Sequence, residues 1–433
     1  MRGAPAAFVA LYLALRGSML FQPGYEDDLK AYRRWAVAAA QQGLSRVYRA
    51  SDIDYPPLYA YLLLPLGQAY QALSPGVGTP KGGNPVVWTA LAKLPPLAFD
   101  LGIAALLFHV GRRADAGGAP GTRWRWLLPG AYLANPAVVF DTGYWGHPDS
   151  VHSFFVLAAI LLAASGRGAL AFAGLALATL MKPLGAPFFP LLAALVLFRS
   201  GLRGVVRGIA AAGLVAAAVF LPFVLSGDAS FILQRVVLDL DAMPYTALNA
   251  HNLWGALGGW RSADERLLGP VTATQLGLSL FAALLVGVLL RAFRLHAREG
   301  GVDAQRAAIL AAAVGFGFFM LATHMHENHL FVVVPLLAAA LPAGPAWRRL
   351  FVAITIGVLL NLLLHDPEIP GRWPFTLGGT TGVARLSHGR MYYAAELQAV
   401  RSATAFNLAV FAAFLWAVFR LPPPACTGRQ GTR

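Results

Sequence analysis

The chain has 433 residues, of which 57% are hydrophobic and only 12% are charged. Because soluble domains carry about 25% charged residues, this composition excludes an ordinary soluble protein and indicates a membrane protein. The net charge of +14 then marks cytoplasmic loops and does not indicate a nucleic-acid partner. The single cysteine, Cys426, excludes an internal disulfide and a cysteine-rich metal site.

Apolar stretches recur along the sequence, and many reach the roughly 18 residues that cross a bilayer core. They predict an all-α fold, a polytopic transmembrane helical bundle of about twelve spans. The predicted spans lie near 5–21, 87–111, 126–141, 150–165, 168–181, 183–198, 205–225, 272–290, 306–323, 329–343, 350–364 and 402–419. The first lacks a cleavage site of small residues, so we expect a retained helix. The segment 57–73 contains Pro65 and two glutamines, which predicts an interfacial or half-inserted helix.

Arginines occupy every second connection between the predicted spans, for example at Arg112, Arg207 and Arg348. By the positive-inside rule these connections are cytoplasmic. The other connections hold nearly all remaining acids and most histidines, in the outer loops 22–86, 226–271 and 366–401 and in shorter turns. Polar groups gathered at one membrane face from distant loops predict one shared site.

Three consecutive acids, Glu26, Asp27 and Asp28, follow the first apolar run. From Leu29 onward the apolar residues fall at helical spacing, which predicts an amphipathic helix lying on the membrane. Asp28 stands just before this helix, so one interpretation makes it an N-cap. The other makes it a general base, because crowded carboxylates raise one another's pKa.

The sequence DIDYPPLYAY, 52–61, follows in the same outer loop. Pro56 and Pro57 predict an extended entry into the next helix. Tyr55 and its neighbouring tyrosines suit either an aromatic belt at the membrane interface or a binding site. Asp54 fits the belt interpretation poorly, because it stands against apolar sequence.

The sequence DTGYWGHPDS, 141–150, lies between two predicted spans at the outer face. Its glycines and proline predict a turn that brings Asp141, His147 and Asp149 within reach of the outer loop. Asp149 also stands where a cap of the next helix is expected. Both interpretations remain open, and capping does not exclude a role in the site.

The sequence HMHENH, 324–329, contains His324, His326 and Glu327. In a helix this spacing separates the two histidines, and the H-E-x-x-H pattern of a zinc helix is absent. The imidazoles fit a phosphate-binding or hydrogen-bonded cluster at least as well as a metal site. Lys182 lies between two short spans near their outer end, where a lysine is either functional or snorkels to the interface.

In order along the chain, these stretches resemble motifs of GT-C glycosyltransferases that use a polyprenyl-phosphate sugar. The resemblance is closest to the ER glucosyltransferases that extend dolichol-linked oligosaccharide and to bacterial mannosyltransferase-like relatives. That family has an aspartate seven residues before a tryptophan, as Asp28 and Trp35 are here, then D-Y-P-P-L-x-A-Y, as in DYPPLYAY at 54–61. HPDS at 147–150 is a shortened variant of its H-x-x-x-S turn, and HMHE at 324–327 is similar to its H-V-H-E. The similarity covers roughly residues 5–335.

The resemblance implies a GT-C type fold and an inverting transfer with Asp28 as the catalytic base. It implies that mannose or glucose moves from a polyprenyl-phosphate-hexose donor to a hydroxyl of a lipid-linked glycan or glycolipid. The residues expected to bind these substrates are Asp27, Asp54, Tyr55, Asp141, His147, Asp149, Lys182, His324, His326 and Glu327. No cofactor and no metal are expected, because one carboxylate can take the proton of the acceptor.

We treat 1–433 as one integral membrane domain, with a catalytic module at 1–225 and a variable module at 226–433. The arginine-rich, lysine-poor composition is typical of a GC-rich bacterium. It predicts the inner (plasma) membrane, an undecaprenyl- or decaprenyl-like carrier and an active site on the outer or periplasmic face. The expected partners are the donor, the acceptor and membrane lipid, and the chain is expected to be a monomer.

Two other functions also fit the sequence. A protein O-mannosyltransferase of the same superfamily would use the same kind of donor on a different acceptor. A lipid-linked sugar flippase or transporter would place carboxylates deep within spans and charges on both faces. Most ionisable residues here instead stand at span ends, with Asp100 and Arg16 as exceptions.

Overall fold

The computed structural model of the chain describes residues 4–77, 82–117, 123–238, 244–257, 259, 262–364, 383–385 and 391–420. In its first half the α-helices are α1 Ala4–Met19, α2 Glu26–Gln42, α3 Val47–Ala50, α4 Pro57–Leu73, α5 Pro85–Gly117, α6 Trp124–Leu133, α7 Pro136–Val138, α8 Asp149–Ala164, α9 Gly168–Met181 and α10 Phe189–Leu225. They continue with α11 Ala229–Leu233, α12 Leu253–Ala256, α13 Ala273–Glu299, α14 Ala304–Leu321, α15 Val333–Ala340, α16 Pro345–Leu363 and α17 Ala394–Arg420. Tighter 3₁₀ or wider π turns cover Leu44–Arg46, Val139–Trp145, Pro183–Phe188, Gln234–Leu238, Glu327–Leu330 and Leu341–Ala343.

Short strands form three two-stranded ladders. The strands are β1 Ala247–Leu248, β2 Arg266–Leu268, β3 Val271–Thr272, β4 Met325–His326, β5 Val383–Arg385 and β6 Met391–Tyr393. β1 pairs with β4 in parallel, whereas β2 with β3 and β5 with β6 are antiparallel. The parallel pair matters for the site, because it ties the 226–271 loop to HMHENH.

Within the described residues, six helices are long and apolar enough to cross a membrane. They lie at Pro85–Gly117, Pro183–Leu225, Ala273–Glu299, Ala304–Leu321, Pro345–Leu363 and Gln398–Arg420, and shorter apolar helices lie at Asp149–Ala164, Gly168–Met181 and Glu327–Ala343. Large apolar side chains such as Leu202, Val206 and Leu214 are exposed along α10, as a face in contact with lipid requires. The chain is therefore a helical integral membrane protein, as the composition predicts.

The predicted span 126–141 is wrong in its second half. Helix α6 ends at Leu133 because Pro136 cannot continue it. Asn135 then caps α7, its side-chain oxygen accepting from the amides of Ala137 and Val138. A π turn at Val139–Trp145 follows, which places Asp141 in irregular backbone rather than at a helix end.

The predicted spans 183–198 and 205–225 are joined in one continuous helical segment. Gly201, with φ 63° and ψ −172°, interrupts it with a backbone conformation that a helix does not contain. The segment begins beside Lys182, and near its end the Val219 carbonyl accepts from the Tyr61 hydroxyl. Both ends of this segment therefore lie near the loops that carry the polar residues, as the ends of a helical hairpin do.

A buried polar cluster fixes α1 against the rest of the bundle. Arg16 forms an ion pair with Asp100 of α5 at 2.6 Å, and both side chains are almost fully buried. Asp100 also accepts hydrogen bonds from Tyr132 at 2.7 Å and from Thr142 at 2.6 Å. Lys93 donates to the carbonyls of Met19 and Gln22, both at 2.8 Å. These bonds hold the start of the first outer loop in place.

Helices α2 and α4 pack so closely at Gly67 that a residue larger than glycine would not fit there. A β-carbon at Gly67 of α4 would overlap the backbone of Ala36 in α2. Glycine therefore brings the two backbones into contact. The loop between these helices carries Asp54 and Tyr55, so this contact positions the outer-loop residues relative to Asp28.

Candidate active site

Asp28 is not an N-cap, so that interpretation is wrong. Helix α2 begins three residues earlier than expected, at Glu26, and Tyr25 occupies the cap position without a side-chain bond. The predicted amphipathic face is present, because Leu29, Tyr32, Trp35, Ala36 and Ala39 are all buried. From the first turn the Asp28 carboxylate accepts a hydrogen bond from the indole N–H of Trp145 at 2.9 Å.

Asp27 points away from this contact. It is exposed, and its side chain makes no hydrogen bond with the described part of the chain. Asp28, by comparison, is partly buried beneath Trp145. The two neighbouring carboxylates therefore differ in environment, and only Asp28 joins the buried polar residues.

The loop before α4 presents Asp54 beside this carboxylate. Its side chain reaches the surface, but the surrounding protein restricts its solvation. This burial raises the pKa of Asp54 to about 6, and the charges of Asp28 and Asp52 add to the rise. Asp52 differs: despite some burial, hydrogen bonds from Arg34 and Trp35 lower its pKa. The pKa of Asp54 is thus raised above its ordinary value, and the charge on Asp28 contributes to the rise.

Aromatic rings close the site between α2 and α4. The Tyr55 and Tyr59 rings are 4.6 Å apart, and Tyr32 meets Tyr59 edge-on at 5.7 Å. Tyr32 also meets the ring of His147 edge-on at 6.1 Å. Tyr59 and Tyr32 are buried. These tyrosines face the interior, so an aromatic belt does not account for them.

The turn of DTGYWGHPDS brings its polar residues inward. Gly146 adopts φ 85°, a left-handed conformation that suits glycine. The chain reverses there, and His147 and Asp149 lie next to each other, with 3.3 Å between Nδ1 and Oδ2. His147 Nε2 lies 3.3 Å from the Tyr55 hydroxyl. The expectation that this turn reaches the outer loop is therefore confirmed in the structure.

Lys182 does not snorkel. Its side chain is 8% exposed, and its ammonium group donates to Asp149 Oδ1 at 2.7 Å. The same ammonium lies 6.0 Å from the centre of the Tyr55 ring. Such a buried ion pair is strongly coupled, because neither charge reaches water.

Asp141 is the first residue of the stretch DTGYWGHPDS and is completely buried. Its carboxylate, His147 and Asp149 each offer one ligand atom, and these three atoms lie within 4.8 Å of one another. Residues of this kind at this separation can hold a metal ion. The three residues come together through a π turn and the chain reversal at Gly146, so they do not show the helical spacing of a metal-binding motif.

HMHENH is divided between a strand at Met325–His326 and a 3₁₀ turn that begins at Glu327, so the α-helical spacing assumed for it is wrong. His324 has φ 61°, and Met325–His326 forms strand β4. The His324 ring contacts the Thr323 hydroxyl, and its backbone N–H donates to the carbonyls of Tyr245 and Thr246. Partial burial lowers its pKa. His326 stacks edge-on against His329, with ring centres 5.0 Å apart.

The residues after the strand do enter the site. Glu327 and Asn328 are buried, and the Asn328 amide nitrogen lies 2.7 Å from His147 Nε2. Asn328 and Trp145 were not among the expected site residues, although both stand inside the motifs that indicated it. Their positions in those motifs were the only sequence signal for them.

The structure links five of the expected stretches through direct contacts. These contacts are Asp28 with Trp145, Tyr55 with His147, His147 with Asn328 and Asp149 with Lys182. Asp141 lies beside this network, and Asp54 influences it by charge. Asp27 and His324 are outside it. A narrow crevice with a volume of about 10 Å³ lies beside it, lined by Tyr32, Tyr59, Trp88, Gly146, Pro148 and apolar side chains of α4 and α5.

Such a site combines one accessible carboxylate with buried cationic and amide groups. It can remove a proton from a bound hydroxyl and stabilise negative charge close by. In comparisons with known proteins, no family model matches the chain, and neither does any curated protein.

Proposed function

We propose that this chain is an inverting membrane glycosyltransferase that moves a hexose from a polyprenyl-phosphate carrier to a hydroxyl of a lipid-linked glycan or glycolipid. The observation that carries the proposal is the polar network joining Asp28, Tyr55, the 141–150 turn, Lys182 and Asn328. Asp28, Tyr55, His147 and Asp149 stand in stretches that resemble GT-C motifs, Asn328 directly follows the fourth stretch, and Lys182 lies outside all four. The proposal also includes the architecture of the membrane domain, which is a GT-C type bundle of about twelve spans.

In the proposed reaction Asp28 is the general base. The acceptor oxygen attacks C1 of the hexose while its proton passes to the Asp28 carboxylate. The bond between C1 and the phosphate oxygen breaks with its electron pair, and polyprenyl phosphate leaves. Attack opposite the leaving group inverts the configuration at C1. Trp145 donates to one oxygen of Asp28 and thereby orients the carboxylate.

Charge on the departing phosphate needs a stabilising partner. Lys182 is the nearest fixed cation of the network, and His147 and Asn328 offer N–H groups beside it. Asp149 offsets part of the Lys182 charge, so its contribution is smaller than that of an unpaired ammonium. His324, which the sequence assigned to this role, is replaced by His147 and Asn328 in the proposal.

The direction of the helices supports an outer-face site. The network lies at the N-terminal ends of α4 and α8 and just beyond the C-terminal ends of α9 and α14. The opposite ends carry arginines, such as Arg167 before α9 and Arg306 in the first turn of α14. Under the positive-inside rule the arginine ends are cytoplasmic, so the site faces the outer or periplasmic side of an inner (plasma) membrane.

The buried charges argue against a transport function. The pair of Arg16 and Asp100 lies within the bundle, but its hydrogen bonds to Tyr132 and Thr142 fix it in place. A carboxylate that relays ions must exchange partners, whereas Asp100 is held by several donors at once. We therefore favour the transferase over a flippase or transporter.

The test is a transfer assay with membranes from cells that express the chain. Synthetic short-chain polyprenyl phosphates carrying labelled mannose or labelled glucose serve as donors, and the Asp28→Asn variant is the matched control. We expect label in a larger glycolipid extractable with organic solvent, and none with the control. Label on protein would favour the protein O-mannosyltransferase alternative. Uptake of intact donor into vesicles without transfer would favour the flippase.

A further inference from the structure

We infer that Asp141, His147 and Asp149 form a binding site for one divalent transition-metal ion, with Zn²⁺ as the preferred ion. The three ligand atoms lie within 4.8 Å of one another, and all three residues are buried. This inference does not depend on the transferase proposal, because it concerns binding and not turnover.

The geometry requires only small movements. Zn²⁺ binds imidazole nitrogen and carboxylate oxygen at about 2.0–2.2 Å, which puts tetrahedral ligand atoms roughly 3.4 Å apart. His147 Nδ1 and Asp149 Oδ2 are already 3.3 Å apart. Rotation of the Asp141 side chain towards this pair completes a three-residue set. One coordination position is then left for water or another oxygen ligand.

The state of Asp141 is the second observation. Its side chain is 0% exposed, and neither oxygen has a hydrogen-bond partner among the residues that the structure describes. An ionised carboxylate in such a place needs a cation. A protonated one needs an acceptor for its O–H, and leaving that donor unsatisfied is also costly. Lys182 donates to Asp149 Oδ1, whereas Asp149 Oδ2, like both Asp141 oxygens, has no hydrogen-bond partner among the described residues. One bound metal ion would satisfy both carboxylates.

The groups around the three ligands suit a metal site. Lys182 holds one oxygen of Asp149 and leaves Oδ2 facing His147. If His147 binds metal through Nδ1, its Nε2–H needs an acceptor. The Tyr55 hydroxyl lies 3.3 Å from Nε2, and the Asn328 amide, whose oxygen and nitrogen are interchangeable in assignment, lies 2.7 Å from it. The same amide atom lies 3.1 Å from Nδ1, so it must shift towards Nε2 when the metal ion binds. Partners of this kind fix the imidazole and support metal affinity.

The ligand types select the class of ion. Two carboxylates and one imidazole suit Zn²⁺, Mn²⁺ or Co²⁺, whereas Mg²⁺ and Ca²⁺ prefer all-oxygen sites with more ligands. Among these ions Zn²⁺ binds most tightly in the usual order of affinity. We therefore expect Zn²⁺ to bind more tightly than Mn²⁺, and Mg²⁺ to bind weakly.

The test is direct metal binding by the full chain, purified in detergent without a histidine tag and stripped with EDTA. Zn²⁺, Mn²⁺ and Mg²⁺ are titrated separately, and the bound metal is counted after gel filtration. Co²⁺ serves as a spectroscopic probe, because its visible absorption reports the coordination. We expect the parent to bind about one Zn²⁺ per chain. The affinity for Zn²⁺ should fall at least tenfold in Asp141→Asn and in His147→Gln.

Asp303→Asn is the control variant. Asp303 caps α14 away from the site, and asparagine caps about as well as aspartate. This variant should bind Zn²⁺ and Co²⁺ like the parent. No stoichiometric Zn²⁺ in the folded parent, or equal binding in Asp141→Asn, would overturn the inference. Equal affinity for Mg²⁺ and Zn²⁺ would overturn the assignment to a transition metal. A thermal melt of each variant distinguishes loss of metal from loss of fold.

Discussion

Replacing Asp28 with asparagine separates the chemistry of this carboxylate from its contribution to stability. In the parent, the Trp145 indole N–H donates to the Asp28 carboxylate at 2.9 Å. Asparagine keeps an oxygen that can accept this hydrogen bond. It loses the ionic part of that bond, about 1 kcal/mol, and a favourable charge in the first turn of α2, about 0.3–1 kcal/mol. The expected loss of stability is therefore about 1–2 kcal/mol, which leaves a typical domain folded.

The expected effect on turnover is larger. A neutral amide cannot take the acceptor proton, and removal of a positioned base lowers the rate by about two to four orders of magnitude. That corresponds to roughly 2.7–5.4 kcal/mol of transition-state stabilisation. The two effects are thus separable, because the variant should bind donor lipid and unfold near the parent temperature while transfer nearly stops.

The assay is single-turnover transfer from a short-chain donor, with thermal unfolding recorded on the same preparations. Asp27→Asn is the matched control, because it changes an exposed carboxylate in the same helical turn and should lower the rate by less than about tenfold. Transfer by Asp28→Asn within a few-fold of the parent would refute the assignment of the base. So would an inactive Asp27→Asn beside an active Asp28→Asn.

Three further predictions concern other parts of the chain. Lys182→Met leaves its carboxylate partner buried without a counter-charge, so in EDTA-treated protein it should lower the free energy of unfolding by about 3–5 kcal/mol; an unchanged melting curve would contradict the buried pair. The pKa of Asp54 is higher in the folded protein than in the unfolded chain, so its contribution to stability is full below about pH 4 and declines as pH rises through about 6. In denaturant titrations between these pH values, the free energy of unfolding should fall less with rising pH in Asp54→Asn than in the parent. The same pH dependence in both proteins would contradict the raised pKa of Asp54. In a background without the native cysteine, an impermeant thiol reagent applied to intact cells should label Ser51→Cys and spare Gly117→Cys, and the reverse result would invert the proposed topology.

The helices were predictable wherever one periodic signal dominated. Most of the predicted spans correspond to helices, and the buried face of α2 follows the spacing of Leu29, Tyr32 and Trp35. Local backbone breaks were harder to predict, because they depend on single residues. Asn135 and Pro136 divide an apolar run that composition alone joins.

The site was predictable as a set of segments, but its internal geometry was not. Charge alternation indicated one shared site, and the contact between Tyr55 and His147 agrees with it. HMHENH was misassigned because its strand pairs with Ala247–Leu248, far along the chain, and no local pattern encodes such a partner. The contact of Asp28 with Trp145, which are 117 residues apart, likewise depends on tertiary packing.

The sequence distances within the polar network have a consequence for biosynthesis. Asp149 meets Lys182 only 33 residues later, across the α8–α9 hairpin, so this pair can form while the chain is still being inserted. Asn328 is synthesised 181 residues after His147. At a synthesis rate of roughly 5–20 residues per second, this takes on the order of 10–40 seconds. During that interval the nascent chain has Asp28 and the Asp149–Lys182 ion pair without the Asn328 amide. A ribosome that stalls between codons 182 and 328 should therefore leave an inserted chain whose polar network is incomplete.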